Sequence, residues 1–240
     1  MILLLIAFGR NSGDGAPADA PNTVMILLID KNGHPPSYVN RVIENRREYA
    51  EAHGISSPPS PPPPPPSVRK REQEYANPKN PPINNTLGYG LFIKNITDYP
   101  VGEVSNSWAR IPAIRHAMKE YKYSTYFWAL DQDAVIMNPS LSLEEHVLAP
   151  GRLGSIMRRG VPVVPPSSII ETYKYVPPER VQFIITQDAE GLQPGSIIVK
   201  AGPWAHYFLD AWFDPLFRSY GFQKAEQHAL VCSASSPLLT

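Results

Sequence analysis

Asp131 and Asp133 are the side chains in this sequence best suited to bind a metal ion. They follow the apolar segment 126–130, and residues two apart in an extended segment face the same side. Mg²⁺ and Mn²⁺ prefer carboxylate oxygens and commonly join one or two carboxylates to substrate phosphates. Because open α/β sheets bind ligands where buried strands end, the pair predicts a metal-assisted site for a phosphorylated ligand.

The alternative interpretation of this pair is a solvated turn, since an Asp-x-Asp pattern occurs by chance about once in a chain of this size. Its context favours a site, because apolar residues precede the pair and the apolar residues 134–137 follow it. Two unpaired carboxylates between buried segments cost free energy unless a cation lies there. An EF-hand is excluded, because Val135 and Ile136 stand where that loop needs an acidic residue and a glycine.

The composition favours one α/β domain that does not bind nucleic acid. The 240 residues are 42% hydrophobic, which is enough for one sizeable core. Lys plus Arg and Asp plus Glu each total 22, so nothing indicates a basic surface for nucleic acid. The single cysteine, Cys232, excludes an internal disulfide and a multi-cysteine metal site.

Apolar runs and helical spacing predict the elements that position the acidic pair. The run 24–29 ends at Asp30 and is typical of a strand buried on both faces, and helical spacing follows over 37–53. A strand, a turn and a helix in this order begin a βαβ unit. Further strands are predicted at 89–94, 126–130, 181–186 and 197–199, and further helices at 108–121, from 203 and from 224, with a surface loop at 150–178.

Two segments are predicted to lie outside the folded domain, which spans 23–240. Residues 1–22 are an apolar start and a linker, and the start is either the remnant of a membrane anchor or simply an apolar beginning. Residues 55–88 include eight prolines between 58 and 66 and predict a disordered insertion. An alternative interpretation makes the proline run a ligand for SH3 or WW domains.

The segments 107–112 and 126–139 resemble the galactosyl transferase GMA12/MNN10 family, in particular its fungal α-1,6-mannosyltransferases. Plant xyloglucan xylosyltransferases belong to the same family. Three further blocks agree in order: 24–30 with the helix that carries Asn45 and Tyr49, 187–198, and 208–230. The resemblance covers most of 24–54 and 89–230.

The resemblance implies a GT-A fold, which is a Rossmann-like α/β/α sandwich with a mixed sheet. It implies a retaining glycosyltransferase that moves a hexose, mannose from GDP-mannose, to a glycan or mannan acceptor with Mn²⁺ or Mg²⁺. It further implies a lumenal catalytic domain at the Golgi membrane, a membrane anchor in the full-length protein and other mannosyltransferase subunits as partners.

Four residues are expected at the donor by this resemblance. Asp133 would ligate the metal most directly, and Asp131 would reach the metal or the donor ribose. Arg110 would contact the nucleotide, although an arginine that is solvated or salt-bridged within its helix is the equal alternative, and Asp30 would line the same site. The metal would neutralise the leaving diphosphate, which then needs little protonation.

Four more residues are expected around the reacting sugar and the acceptor. Gln187 and Asp188 would face the sugar or acceptor from the next strand end, and Glu226 and Gln227 would line the acceptor side with His228. The alternatives are a turn residue for Asp188, a solvated helix residue for Glu226 and a packed histidine for His228.

The sequence departs from the family after the block 226–230. Family members are expected to continue for some tens of residues and to supply a histidine to the metal shell, whereas this chain continues only through 231–240. The C-terminus is therefore expected to be truncated. This departure motivates a second hypothesis, that the chain is a catalytically impaired, transferase-like subunit of a Golgi mannosyltransferase complex.

Overall fold

The computed structural model describes residues 2–6, 17, 20–53 and 88–234. The proline run, nearly all of the predicted insertion and the last six residues therefore lie outside the described residues. The strands are β1 (Ile2–Ile6), β2 (Thr23–Ile29), β3 (Gly90–Asn95), β4 (Tyr126–Leu130), β5 (Val181–Asp188) and β6 (Gly191–Lys200). The α-helices are α1 (Pro36–Ala52), α2 (Arg110–Glu120), α3 (Pro150–Ile156), α4 (Pro203–Trp212), α5 (Pro215–Ser219) and α6 (Ala225–Ala234).

The six strands form one mixed sheet in the order β1-β5-β6-β4-β2-β3. Strands β3, β2 and β4 are parallel, whereas β6 is antiparallel to both β4 and β5. β2 lies inside the sheet and is buried along almost its whole length, which explains its unbroken apolar sequence. The predicted α/β class with a mixed sheet is confirmed.

Helices cover both faces of this sheet, because successive side chains of each strand point to opposite sides. On one face, Phe127 and Ala129 join a core with α2, α4 and α6. On the other face, Trp128 and Leu130 join a second core with α1 and α3. The architecture is therefore an α/β/α sandwich. Helix α3 lies within 150–178, where the sequence predicted only a surface loop.

The N-terminal segment differs from the sequence expectation. Residues 1–22 were expected to lie outside the domain, but β1 pairs antiparallel with β5 and forms one edge of the sheet. Five consecutive aliphatic residues suit a strand, and the pairing satisfies backbone groups of β5 that would otherwise form the edge. In the described part of the chain, no helix has the length and apolar character needed to span a membrane.

Four strands end at the same edge of the sheet, and one of them is β3, which is parallel to β2. β2 and β4 are parallel, and β5 runs in their direction because both β4 and β5 are antiparallel to β6. Asp30, Asp131 and Asp188 therefore follow or close three of these strands at one edge, where α/β sheets bind ligands.

Phe208 belongs to the larger core, and its replacement tests how much that core contributes to stability. Its ring is fully buried and its centroid lies 4.9 Å from that of Phe183. We expect Phe208→Ala to lower the free energy of unfolding by about 3–5 kcal/mol, because it removes buried apolar contacts and leaves a cavity. Urea denaturation would measure this loss. Tyr207→Ala on the same helix is the control, since Tyr207 is exposed and should change stability by about 0.5 kcal/mol or less. Equal losses of stability in the two variants would contradict the assignment of Phe208 to the buried face of α4.

Candidate functional site

A cavity of about 240 Å³ lies at the edge where β2 and β4 end. It brings together the four side chains that were expected at the donor, namely Asp30, Arg110, Asp131 and Asp133. The other residues that line it are Leu28, His34, Ile96, Asn106, Ser107 and Gln132. The three aspartates supply carboxylates that can bind a metal ion, and Arg110 supplies a guanidinium that can bind phosphate.

The acidic pair lies in a turn and not in an extended segment. The strand ends at Leu130, and the amide of Ala134 donates to the carbonyl of Asp131 at 3.2 Å. The expectation of buried segments on both sides is wrong after the pair, because 49% of Val135 and 86% of Met137 are exposed. The chain leaves the sheet at Asp131, so these side chains no longer meet the core.

Arg110 is shared between two carboxylates. Its Nη2 lies 3.1 Å from Oδ2 of Asp131 and 3.4 Å from Oε1 of Glu226. Its Nε donates to the carbonyl of Ser107 at 3.1 Å, and its Nη1 donates to the carbonyl of Pro194. Only 13% of the side chain is exposed, so these contacts fix its orientation. Arg110 is therefore neither solvated nor paired within its own helix, and it forms salt bridges to other elements at the wall of the cavity.

Glu226 and Gln227 are not among the residues that line this cavity. Glu226 is buried behind Arg110, where it accepts a hydrogen bond from the hydroxyl of Ser107 and pairs with the guanidinium. A solvated helix residue is therefore the wrong interpretation of Glu226. Gln227 is half-buried in the first turn of α6, and its amide donates to the carbonyl of Lys224 at 2.9 Å. His228 is half-buried and lies near Phe222.

Gln187 and Asp188 end β5, at the same edge as the cavity but outside its lining. The side chain of Gln187 is buried and donates to the carbonyls of Pro162 and Val163 at 2.8 and 2.6 Å. Asp188 is exposed at the β5–β6 turn, and hydrogen bonds from the Glu190 amide and Gln193 hold its pKa below the usual range. Gln187 therefore binds the loop that contains Pro162 and Val163. Asp188 lies in a turn, which is the alternative that the sequence left open for it.

The electrostatics of Asp131 favour a bound cation. Burial raises the pKa of Asp131, while the guanidinium of Arg110 opposes this and Asp133 adds a small increase. A second positive charge beside this carboxylate would stabilise its ionised form further. Among the described residues, no group of three or more His, Cys, Asp or Glu side chains could hold a metal alone. A divalent ion bound to the acidic pair would therefore need further ligands, such as water or phosphate oxygens.

Gln132 is a residue of the site that the sequence interpretation missed. It lies between the two aspartates, is buried, and accepts a hydrogen bond from the Asp30 amide at 2.6 Å. Its backbone carbonyl accepts from the hydroxyl of Tyr38 at 3.1 Å. Gln132 thereby joins the end of β2 to the end of β4. A polar residue between two acidic ones gave no signal of burial, and His34 and Ser107 carried no signal either.

Glu226 provides a test of the shared arginine. We expect Glu226→Gln to lower the free energy of unfolding by about 1–3 kcal/mol, because it removes a charge-assisted contact from a nearly buried guanidinium. Chemical denaturation would measure the loss.

The matched control is Glu190→Gln, which breaks an exposed pair with Lys224 just before α6. An exposed ion pair contributes at most about 1 kcal/mol, so this control should unfold almost as the wild type does. The buried-pair interpretation would be wrong if both substitutions had the same small effect.

Comparison with known protein families gives one match over most of the chain. Residues 19–233 match the profile of the galactosyl transferase GMA12/MNN10 family. The match contains the cavity, the acidic turn and α6 up to its penultimate residue.

Several curated yeast proteins are similar to this chain. An uncharacterised alpha-1,2-galactosyltransferase of Schizosaccharomyces pombe is 30% identical over 230 residues, which are 92% of this chain and 60% of that protein. The protein named probable alpha-1,6-mannosyltransferase MNN10 of Saccharomyces cerevisiae is 34% identical over 149 residues, covering 60% and 37%. An alpha-1,2-galactosyltransferase of S. pombe is 27% identical, covering 87% and 50%. The chain thus spans about half the length of such relatives.

One solved structure also resembles the chain. It is a glycosyltransferase involved in the glycosylation of the major capsid of PBCV-1, with a TM-score of 0.45 and 11% sequence identity. The superposition covers 87% of this chain and 74% of that one.

Proposed function

Because the chain belongs to the galactosyl transferase GMA12/MNN10 family, we propose that it is a glycosyltransferase that moves a hexose from a nucleotide sugar to a glycan acceptor. The observation that carries this proposal is the cavity at the ends of β2 and β4, with the acidic pair and Arg110 on its walls. Such a cavity offers oxygen ligands for a cation and a guanidinium for phosphate in one place.

Asp131 and Asp133 would hold Mn²⁺ or Mg²⁺ together with the donor diphosphate. The bound metal would act as a Lewis acid that neutralises charge on the leaving nucleoside diphosphate. The pairing of Asp131 with Arg110 supports joint binding of metal and nucleotide, because part of its charge is already neutralised in the protein alone.

Arg110 and Asp30 would orient the nucleotide. The guanidinium borders the cavity and is held by Ser107 and Pro194, so it presents a fixed positive charge to a phosphate at little entropic cost. Asp30 is partly exposed at the end of β2 and offers a carboxylate to ribose hydroxyls, as acidic residues do at other nucleotide sites.

The reacting sugar and the acceptor would lie toward β5 and α6. Asp188 and Gln227 are the reachable members of the four catalytic candidates, because both retain exposed surface. Gln187 and Glu226 would act through other groups, the first by holding the loop at Pro162 and the second by holding Arg110.

Mannose from GDP-mannose is the donor we propose first, on the resemblance to fungal α-1,6-mannosyltransferases and the similarity to MNN10. Galactose from UDP-galactose is the second candidate, because two of the relatives described above are galactosyltransferases by name. We propose retention of the anomeric configuration on the resemblance alone. A lumenal Golgi location, a membrane anchor in the full-length protein and association with other mannosyltransferase subunits have the same basis.

Asp133→Asn tests the donor site. We expect it to weaken the affinity for GDP or UDP in the presence of Mn²⁺ at least about tenfold, because an amide replaces a charged metal ligand. Isothermal titration with and without Mn²⁺ would measure this. Asp210→Asn is the control, since Asp210 is an exposed aspartate on α4 that pairs with Arg115. Equal affinities of the wild type and Asp133→Asn would contradict a metal site at the pair.

A turnover assay distinguishes an active glycosyltransferase from a catalytically impaired subunit. We expect hexose transfer to a mannan oligosaccharide from GDP-mannose, or otherwise from UDP-galactose, that stops when EDTA removes the metal. Product analysis by NMR would give the donor and the anomeric configuration. Metal-dependent donor binding without transfer to any acceptor would instead favour the non-catalytic subunit.

A further inference from the structure

Helix α1 carries a buried arginine beneath the acidic turn. Arg46 is only 1% exposed and shares the inner side of the helix with Val42 and Tyr49. Burial lowers the pKa of Arg46 to about 10. Within the described part of the chain, no carboxylate oxygen lies within 4.0 Å of this guanidinium. Burying an arginine without an ion pair costs free energy unless its N–H groups find acceptors.

The guanidinium of Arg46 binds backbone carbonyls of the acidic turn. Its Nη2 donates to the carbonyl of Asp131 at 3.2 Å and to that of Ala134. Its Nη1 donates to Oδ1 of Asn45 at 2.6 Å. The planar fork of a guanidinium suits this task, because several donors lie in one fixed plane. Arg46 therefore bridges the two ends of the turn that contains both aspartates.

Asn45 holds the residue that follows this turn. Its Nδ2 donates to the carbonyl of Ile136 at 2.9 Å, and its Oδ1 accepts from the Ile136 amide at 3.0 Å. The side chain thus pairs with one backbone residue through both of its polar atoms. Together, Asn45 and Arg46 bind the backbone at Asp131, Ala134 and Ile136.

Two further contacts hold the turn on the side of α1: the hydroxyl of Tyr38 donates to the carbonyl of Gln132 at 3.1 Å, and Ala134 and Ile136 pack against the second core. Val135 and Met137 point into solvent, so their burial contributes little to the shape of the segment. On the other side, the amide of Asp131 donates to the carbonyl of Gly195 at 2.9 Å. Neither Asn45 nor Arg46 lines the cavity, so neither can contact a ligand there.

We propose that Asn45 and Arg46 are positioning residues that fix the acidic turn in the conformation that binds the metal and the donor diphosphate. The inference rests on the proposed function of the cavity. The contacts place a fixed backbone under Asp131 and, through Ala134, limit where Asp133 can point. Groups that orient metal ligands in this way typically change metal affinity about 10- to 100-fold when they are replaced.

Two conservative substitutions and a matched control test this inference. Arg46→Lys keeps the charge but loses the fork, and Asn45→Asp keeps the acceptor for the Ile136 amide but loses the donor to its carbonyl. Tyr49→Phe is the control, because the hydroxyl of Tyr49 donates from the same helix to Leu141 at 2.8 Å, away from the pair. Each variant is titrated with GDP and UDP in the presence of Mn²⁺, and its thermal midpoint is recorded.

We expect Arg46→Lys and Asn45→Asp to bind nucleotide with Mn²⁺ about 10- to 100-fold more weakly than the wild type. Hydrogen exchange at the Ala134 amide should become faster in both variants, while exchange within β4 stays slow. Tyr49→Phe should bind nucleotide as the wild type does, even where its thermal midpoint falls by the same amount. This difference at matched stability separates positioning from general support of the fold.

Two results would overturn the inference in distinguishable ways. Wild-type affinity in both variants, or an equal loss in Tyr49→Phe, would show that Asn45 and Arg46 do not position the site, while the proposed function would stand. A wild-type protein that binds neither GDP nor UDP with Mn²⁺ would overturn the proposed function and this inference with it. Asn45→Asp keeps the test decisive if Arg46→Lys does not fold.

Discussion

The cavity depends on one guanidinium that pairs with two carboxylates. Arg110 stands at the first residue of α2 and joins Asp131 after β4, Glu226 in α6 and the carbonyl of Pro194 in β6. Four elements that are distant in sequence therefore meet at one charge. Because the side chain is nearly buried, removal of either carboxylate leaves a desolvated guanidinium with a single ion-pair partner. Asp30 and Asp133 line the same cavity as Asp131, so the three carboxylates outweigh the one guanidinium and the cavity has a net negative charge.

The strands of this fold could be predicted well because their signal is local. Strands β2, β4 and β5 occur where apolar runs were identified, since a strand buried on both faces needs such a run. β1 could not be placed in the sheet, because its pairing with β5 depends on residues about 180 positions away in a fold not yet known. The short strand predicted at 197–199 is the end of the longer β6, whose first half contains glycine and proline.

The site was predictable in its residue types and not in its contacts. Asp131 and Asp133 were identified by chemistry and by the strand before them, but the turn was not, because nothing local distinguishes it from an extended segment. The resemblance pointed to Glu226 and Gln187 without saying that both are buried against protein groups. Arg46 alone left a signal, as a charged residue four positions after Val42 on an apolar helix stripe.

The crossover from β2 through α1 to β3 places its long connection at the opposite edge of the sheet from the cavity. β2 ends at the cavity, α1 returns across the sheet, and β3 starts again at the opposite edge because it is parallel to β2. The connection between His53 and Gly88 thus leaves and re-enters the fold far from the acidic turn. Insertions there change loop-closure entropy, about 0.6 kcal/mol for each doubling of length. The length of that connection can therefore change without moving the acidic turn, whereas an insertion in β6 beside Asp131 would displace the Gly195 carbonyl that the Asp131 amide binds.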